Sequence, residues 1–115
     1  MAKIKANEAL VKALQAWDID HLYGIPGDSI DAVVDSLRTV RDQFKFYHVR
    51  HEEVASLAAG SYTKMTGKIG VALSIGGPGL VHLLNGMYDA KMDKVPQLIL
   101  SGQTNSTLLG TKAFQ

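Results

Sequence analysis

The 115-residue sequence contains no cysteine. That excludes a disulfide framework, a thiolate zinc centre and a cysteine nucleophile. Net charge is nearly absent too, with 12 Lys+Arg against 11 Asp+Glu and a formal +1. This balance excludes a polybasic nucleic-acid module or an acidic tail as the dominant character. No stretch reaches the roughly 18 apolar residues of a membrane span. The opening Met1-Ala2-Lys3-Ile4-Lys5 lacks the apolar core of a signal peptide. A soluble, cytoplasmic protein is the expectation, with no nucleic-acid and no membrane partner. Hydrophobic residues make up 46% and charged residues 20%, which excludes a disordered chain. A chain of this length forms one domain and buries roughly two-thirds of its unfolded surface.

Only 3 prolines occur, and two of them stand in glycine-rich turns. These turns punctuate a regular alternation. Ala6, Leu10, Ala13, Leu14 and Trp17 recur at helical spacing and predict a first helix ending near Asp18. Asp20 to Tyr23 reads as a strand, stopped by Gly24-Ile25-Pro26-Gly27. Asp28 and Ser29 are suitable caps for a second helix, whose face is Ile30, Val33, Val34 and Leu37. Lys45 to Val49 predicts a second strand, and Arg50-His51-Glu52-Glu53 opens a third helix. That helix has a small face of Ala55, Ala58, Ala59, Gly60 and Ser61, suited to close packing. Ile69 to Ser74 is a near-continuous apolar run, as in a strand buried on both faces. Gly76-Gly77-Pro78-Gly79 leads into a helix through Leu80, Leu83, Leu84, Met87 and Tyr88, and Val95 to Leu100 predicts a fourth strand. The tail from Gln103 to Gln115 shows no periodicity.

A helix followed by alternating strands and helices predicts an α/β fold: three layers, with a mostly parallel sheet and helices on both faces. Ligands of such sheets bind beyond the carboxyl ends of the strands. Segments 24–27, 50–53 and 76–79 fall there. The first turn brings backbone close to a ligand or simply joins strand to helix. It is not a dinucleotide fingerprint, and no phosphate-loop Lys-Ser/Thr follows it. The second turn exposes helix-terminal amides, although its proline removes one of them. Glu52 and Glu53 complement a helix dipole, and one of them, set in an apolar pocket, would exchange a proton near neutral pH. His51 and His82 are possible acid–base or pocket groups, and His21 and His48 read as strand or surface residues. No His and carboxylate spacing marks a metal site, so no metal is assigned. Asp89 and Asp93, four residues apart, suggest a solvated loop or a salt bridge. Trp17 and Tyr88 are expected as core or interface aromatics.

Taken in order, Gly24-Ile25-Pro26-Gly27, Val49-Arg50-His51-Glu52-Glu53, Gly77-Pro78-Gly79 with Asn85-Gly86, Val95-Pro96 and Ser101-Gly102-Gln103 resemble the pyrimidine-binding domain of thiamine diphosphate enzymes. Leu83 to Asp93 (Leu-Leu-Asn-Gly-Met-Tyr-Asp-Ala-Lys-Met-Asp) is similar to the pyruvate oxidases within that superfamily. The resemblance runs from about Ala6 to Gln115. It implies a thiamine diphosphate-binding fold in which residues 1–115 form most of one N-terminal domain, with the last strands of the sheet missing. It also implies a parent enzyme that converts pyruvate, phosphate and oxygen to acetyl phosphate, carbon dioxide and hydrogen peroxide. Acetolactate synthase, a quinone-linked pyruvate dehydrogenase and a non-catalytic module of the same fold are the alternatives.

The resemblance carries the family's key acid onto Glu52, the carboxylate directly after the His of the Arg-His-Glu motif. Glu52 would hydrogen-bond the cofactor's aminopyrimidine and favour the imino tautomer that takes the thiazolium proton. The helix terminus lowers its pKa and burial raises it, and burial is expected to prevail in the assembled enzyme. Pro26 and Gly27 would border the pyrimidine, with Gly77, Pro78 and Gly79 lining the same cleft. Asn85 would support the site from below. Phe114 and Gln115 would reach the substrate side. Mg2+, the diphosphate and FAD would be held by domains with no counterpart in these residues. The partner is expected to be the diphosphate-binding domain of another subunit in a homo-oligomer.

Overall fold

The structure is a computed structural model that describes residues 3–115. Met1 and Ala2 of the opening segment lie outside the described residues. Helix α1 (Ala6–Ala16) buries Val11 and Leu14, a stripe one position away from that expected through Ala13 and Trp17. Strand β1 (His21–Gly24) follows, then a 3-10 turn (Asp28–Ile30) and α2 (Asp31–Thr39). Strand β2 (Lys45–His48), α3 (Glu52–Thr66), β3 (Gly70–Ser74), α4 (Pro78–Met92) and β4 (Gln97–Ser101) complete the alternation. A short 3-10 turn (Ser106–Leu108) lies in the tail.

The four strands form one sheet in the order β2-β1-β3-β4, and every pairing is parallel. Strand β3 is buried along its whole length, as its continuous apolar run requires. Its side chains alternate between two cores. Val71 and Leu73 join Val11, Leu14, Leu22 and Leu37 beneath α1 and α2. Ala72 points the other way, to Ala55, Ala59 and Leu83 of α3 and α4. The three-layer arrangement follows from this two-residue alternation. Among the described residues, no helix is long and apolar enough to cross a membrane.

The small-residue face of α3 is real but rotated. The buried positions are Ala55, Ser56, Ala59, Gly60 and Thr63, while Ser61 is exposed. It admits α4 closely. A Cβ added at Gly86 would lie 2.5 Å from Ser56 Cβ. Ser56 Oγ donates to Gln97 Oε1 at 3.1 Å, and Gln97 Nε2 donates to the Gly86 carbonyl at 3.0 Å. One hydrogen-bonded chain therefore ties α3, β4 and α4 together. At the far ends of the two helices, Lys64 Nζ lies 2.8 Å from Asp89 Oδ2 and 2.5 Å from Asp93 Oδ2. That shared cation offsets the repulsion of the two carboxylates.

One local expectation is corrected and two are narrowed. Neither Asp28 nor Ser29 makes a side-chain cap for the second helix, because the Ser29 hydroxyl accepts the Gly76 N–H at 3.0 Å instead. Trp17 and Tyr88 are exposed, so neither belongs to the core. His21 lies in a strand, one of the two placements expected for it, and is buried there, with Nδ1 2.7 Å from Asp20 Oδ1 and its ring against Tyr62. It sits at the start of β1, at the opposite end of the strand from the candidate site.

Candidate functional site

Strand order reverses at β1. Strand β2 pairs along one side of it and β3 along the other. The segments that leave the carboxyl ends of β1 and β3 therefore flank the crevice where open α/β sheets take ligands. Segments 24–27 and 76–79 are these two, and 50–53 follows β2. Ile75 joins the two turns. Its Cγ1 lies 2.8 Å from where a Cβ on Gly79 would sit, and its Cγ2 meets the corresponding position of Gly27. The Ser29–Gly76 bond fastens them further. Pro26 remains exposed.

Glu52 is the first residue of α3. His51 precedes it in extended conformation, and its Nδ1 accepts the Glu53 N–H at 3.3 Å. This cap turns the two glutamates apart. Glu53 lies 3.9 Å from His51 Nδ1 and is 40% exposed. The Glu52 side chain is only 13% exposed, and its Oε2 lies 2.9 Å from Nδ1 of His82 on α4. Its other oxygen, Oε1, faces the second turn, 3.4 Å from where a Cβ on Gly79 would sit. The His51 and His82 rings stack on one another, 4.4 Å apart at 28°.

The electrostatics of Glu52 oppose one another. Burial alone would raise its carboxyl. The His82 hydrogen bond, its own backbone N–H and the neighbouring His82 and His51 rings outweigh burial and hold it below the ordinary value of 4.5. The balance within this chain is the reverse of that expected for the assembled enzyme. Glu52 is thus a carboxylate near neutral pH, and His82 Nδ1 is the donor.

His51, Glu52 and His82 each offer one potential ligand atom, all within 4.8 Å of one another. His51, however, commits its Nδ1 lone pair to the Glu53 N–H. In a neutral imidazole the proton then resides on Nε2, and no lone pair faces outward. His51 Nδ1 and Glu52 Oε2 are both engaged as hydrogen-bond acceptors.

The second turn is bare by necessity. Gly77 has φ +66°, a left-handed conformation that a side chain disfavours. A Cβ there would lie 2.5 Å from the Phe114 carbonyl oxygen and 3.2 Å from Gln115 Cα. Pro78 occupies the first turn of α4, where its missing N–H costs nothing. The structure therefore brings Glu52, Gly77, Pro78, Gly79, Phe114 and Gln115 to one end of the sheet, with Gly27 reaching them through Ile75. Asn85 stands apart. It is exposed on α4, beside Leu84, Met87, Tyr88 and Lys91. The residues that sequence reasoning missed are Ser29 and the role of His82 at Glu52. No local signal marks either, because their partners lie 47 and 30 positions away.

The site therefore sets one shielded carboxylate beside a turn of three glycines and one proline. Residues 4–115 match the family model described as "Thiamine pyrophosphate enzyme, N-terminal TPP binding domain", thiamine pyrophosphate being thiamine diphosphate. The Bacillus subtilis (strain 168) protein YdaP, named for an inferred thiamine pyrophosphate content, is 55% identical over all of this chain and 20% of its own length. A pyruvate oxidase of Lactiplantibacillus plantarum is 50% identical over 97% of the chain and 19% of its own. An acetolactate synthase large subunit of Buchnera aphidicola is 37% identical over the whole chain and 20% of its own. The chain spans about a fifth of the length of the curated relatives it matches. It belongs to the thiamine pyrophosphate enzymes, as an N-terminal thiamine pyrophosphate-binding domain.

Proposed function

We propose that this chain is the pyrimidine-binding part of a thiamine diphosphate- and FAD-dependent pyruvate oxidase. The parent reaction takes pyruvate, phosphate and oxygen to acetyl phosphate, carbon dioxide and hydrogen peroxide. The observation that carries the reading is the shielded Glu52 carboxyl facing the bare Gly79 turn at the sheet's switch point. When bound, the cofactor's thiazolium ring supplies the electron sink that decarboxylation of a 2-oxo acid requires.

The residues of this chain bind and poise that group. Glu52, with Oε1 toward the Gly79 turn, would hydrogen-bond a pyrimidine ring nitrogen and share a proton with it. Pro26 and Gly27 would border the ring, and Gly77, Pro78 and Gly79 would line the same cleft. Phe114 and Gln115, lying on the Gly77 turn, form the substrate side. Asn85 falls on the surface that a partner covers. Mg2+, the diphosphate and FAD are held by domains outside these residues, and the diphosphate domain comes from another subunit of a homo-oligomer. Without those phosphate contacts the chain alone binds the cofactor more weakly than micromolar. The cytoplasm, where pyruvate is available, is the compartment this reading assigns.

Identity of 50% to a pyruvate oxidase against 37% to an acetolactate synthase supports the oxidase. The test is a product assay on the complete enzyme with pyruvate, phosphate, oxygen, thiamine diphosphate, Mg2+ and FAD. Acetyl phosphate and hydrogen peroxide in equal amounts are expected. Acetolactate formed from pyruvate without oxygen uptake would reassign the chain to the second reading.

A further inference from the structure

Glu52 has two carboxyl oxygens, and the fold treats them differently. Oε2 is bound by His82 Nδ1 at 2.9 Å, while Oε1 faces the Gly79 turn. A glutamate side chain has three rotatable bonds, and a single contact at Oε2 fixes the last of them. The donor is itself fixed. His82 stands one turn into α4, and its ring is stacked on that of His51. The ring of His51 is in turn tied to the Glu53 N–H. Two imidazole side chains and one backbone N–H thus hold one carboxyl in one orientation.

We propose that His82 is a positioning residue that acts through Glu52, binding Oε2 so that Oε1 alone is presented to the cleft. The inference rests on the reading of Glu52 as the acid that serves the pyrimidine, and it assigns the residue that poises that acid. A neutral imidazole donating Nδ1–H to Oε2 stabilises the carboxylate, the state in which the shared proton has moved to the ring nitrogen. His82 therefore favours transfer out of Glu52 without touching the cofactor. The surroundings leave this role to it. His51 is the other titratable neighbour, and Glu53 lies beyond it. His48 and Arg50 line a separate groove with Ile25 and Val49. The turns 24–27 and 76–79 contain no charged residue.

The test compares His82→Ala, His82→Asn and Glu52→Gln in the complete enzyme, with thermal melting to verify that each folds. Asparagine keeps an N–H at the reach of Nδ1, and alanine removes it. His82→Ala should lower kcat about tenfold to a hundredfold, the scale seen for partners that orient a working ligand, with KM for pyruvate nearly unchanged. It should also move the acid limb of the pH–rate profile upward, because Glu52 loses the bond that depresses its protonation. His82→Asn should recover part of both effects, which a merely structural role would not produce. Should His82→Ala leave kcat and the acid limb unmoved while Glu52→Gln abolishes turnover, the inference fails and the function of Glu52 stands. Near-normal turnover in Glu52→Gln overturns both.

Discussion

Ser56 and Gly86 touch across the α3–α4 contact, so closely that no side chain fits at position 86. Each lies four residues, about one helical turn, beyond a member of the pair above it. Ser56 follows Glu52, and Gly86 follows His82. The contact between Ser56 and Gly86 therefore sets the separation across which the 2.9 Å hydrogen bond between His82 and Glu52 forms. A structural glycine and a chemical pair are two consecutive rungs of the same helix interface.

Gly86→Ala tests that link. On propensity alone, alanine stabilises a helix interior by about 1 kcal/mol over glycine. Here the added methyl meets Ser56 and the Leu57 backbone nitrogen, and overpacking of this kind costs about 1–3 kcal/mol. A net loss of stability is expected in urea unfolding. A more stable variant would show that α3 and α4 separate without cost.

Acid titration reports on Glu52. Its folded-state pKa lies below 4.5, so the folded protein takes up that proton less readily than the unfolded chain. The stability Glu52 contributes is complete above the unfolded value and is lost as pH falls through the folded one. The melting-temperature advantage of wild type over Glu52→Gln should thus be present at neutral pH and shrink on acidification below about 4.5. An advantage that grows on acidification contradicts the His82–Glu52 pairing.

Exposed apolar residues make a third prediction. Val54 and Leu57 on α3, and Val81, Leu84 and Tyr88 on α4, are exposed. Strand β4 ends the sheet with its outer edge unpaired among the described residues. Surfaces of this kind seek partners, and we expect the 115-residue chain to self-associate. Light scattering should show species larger than a monomer, which Leu84→Glu with Tyr88→Glu should diminish. A monodisperse wild-type monomer at high concentration contradicts the expectation.

The fold was legible because its signals are local. Helical spacing, the apolar run of β3 and the turn glycines are each read within a few residues, and the parallel sheet follows from their alternation. The turns and Glu52 were legible through a motif resemblance, since spacing alone does not separate Glu52 from Glu53. The structure separates them by burial and partner: Glu52 faces His82, and Glu53 turns toward His51. What was not legible depends on distance along the chain. Ser29 looks like a helix cap until Gly76 arrives to use its hydroxyl. Trp17 and Tyr88 read as core or interface aromatics, because periodicity records an apolar face without recording what covers it. Asn85 took its expected place from a motif, and the helix turns it outward.

The central claim is that the Glu52 carboxyl drives deprotonation of the cofactor's thiazolium carbon. Deuterium exchange at that carbon, followed by NMR of the cofactor bound to the complete enzyme, measures it without relying on any product. Exchange in Glu52→Gln should slow by about 10²–10⁴-fold, the range of general acid–base contributions, with cofactor still bound and the melting curve still cooperative. Exchange as fast as in the wild type would contradict the account.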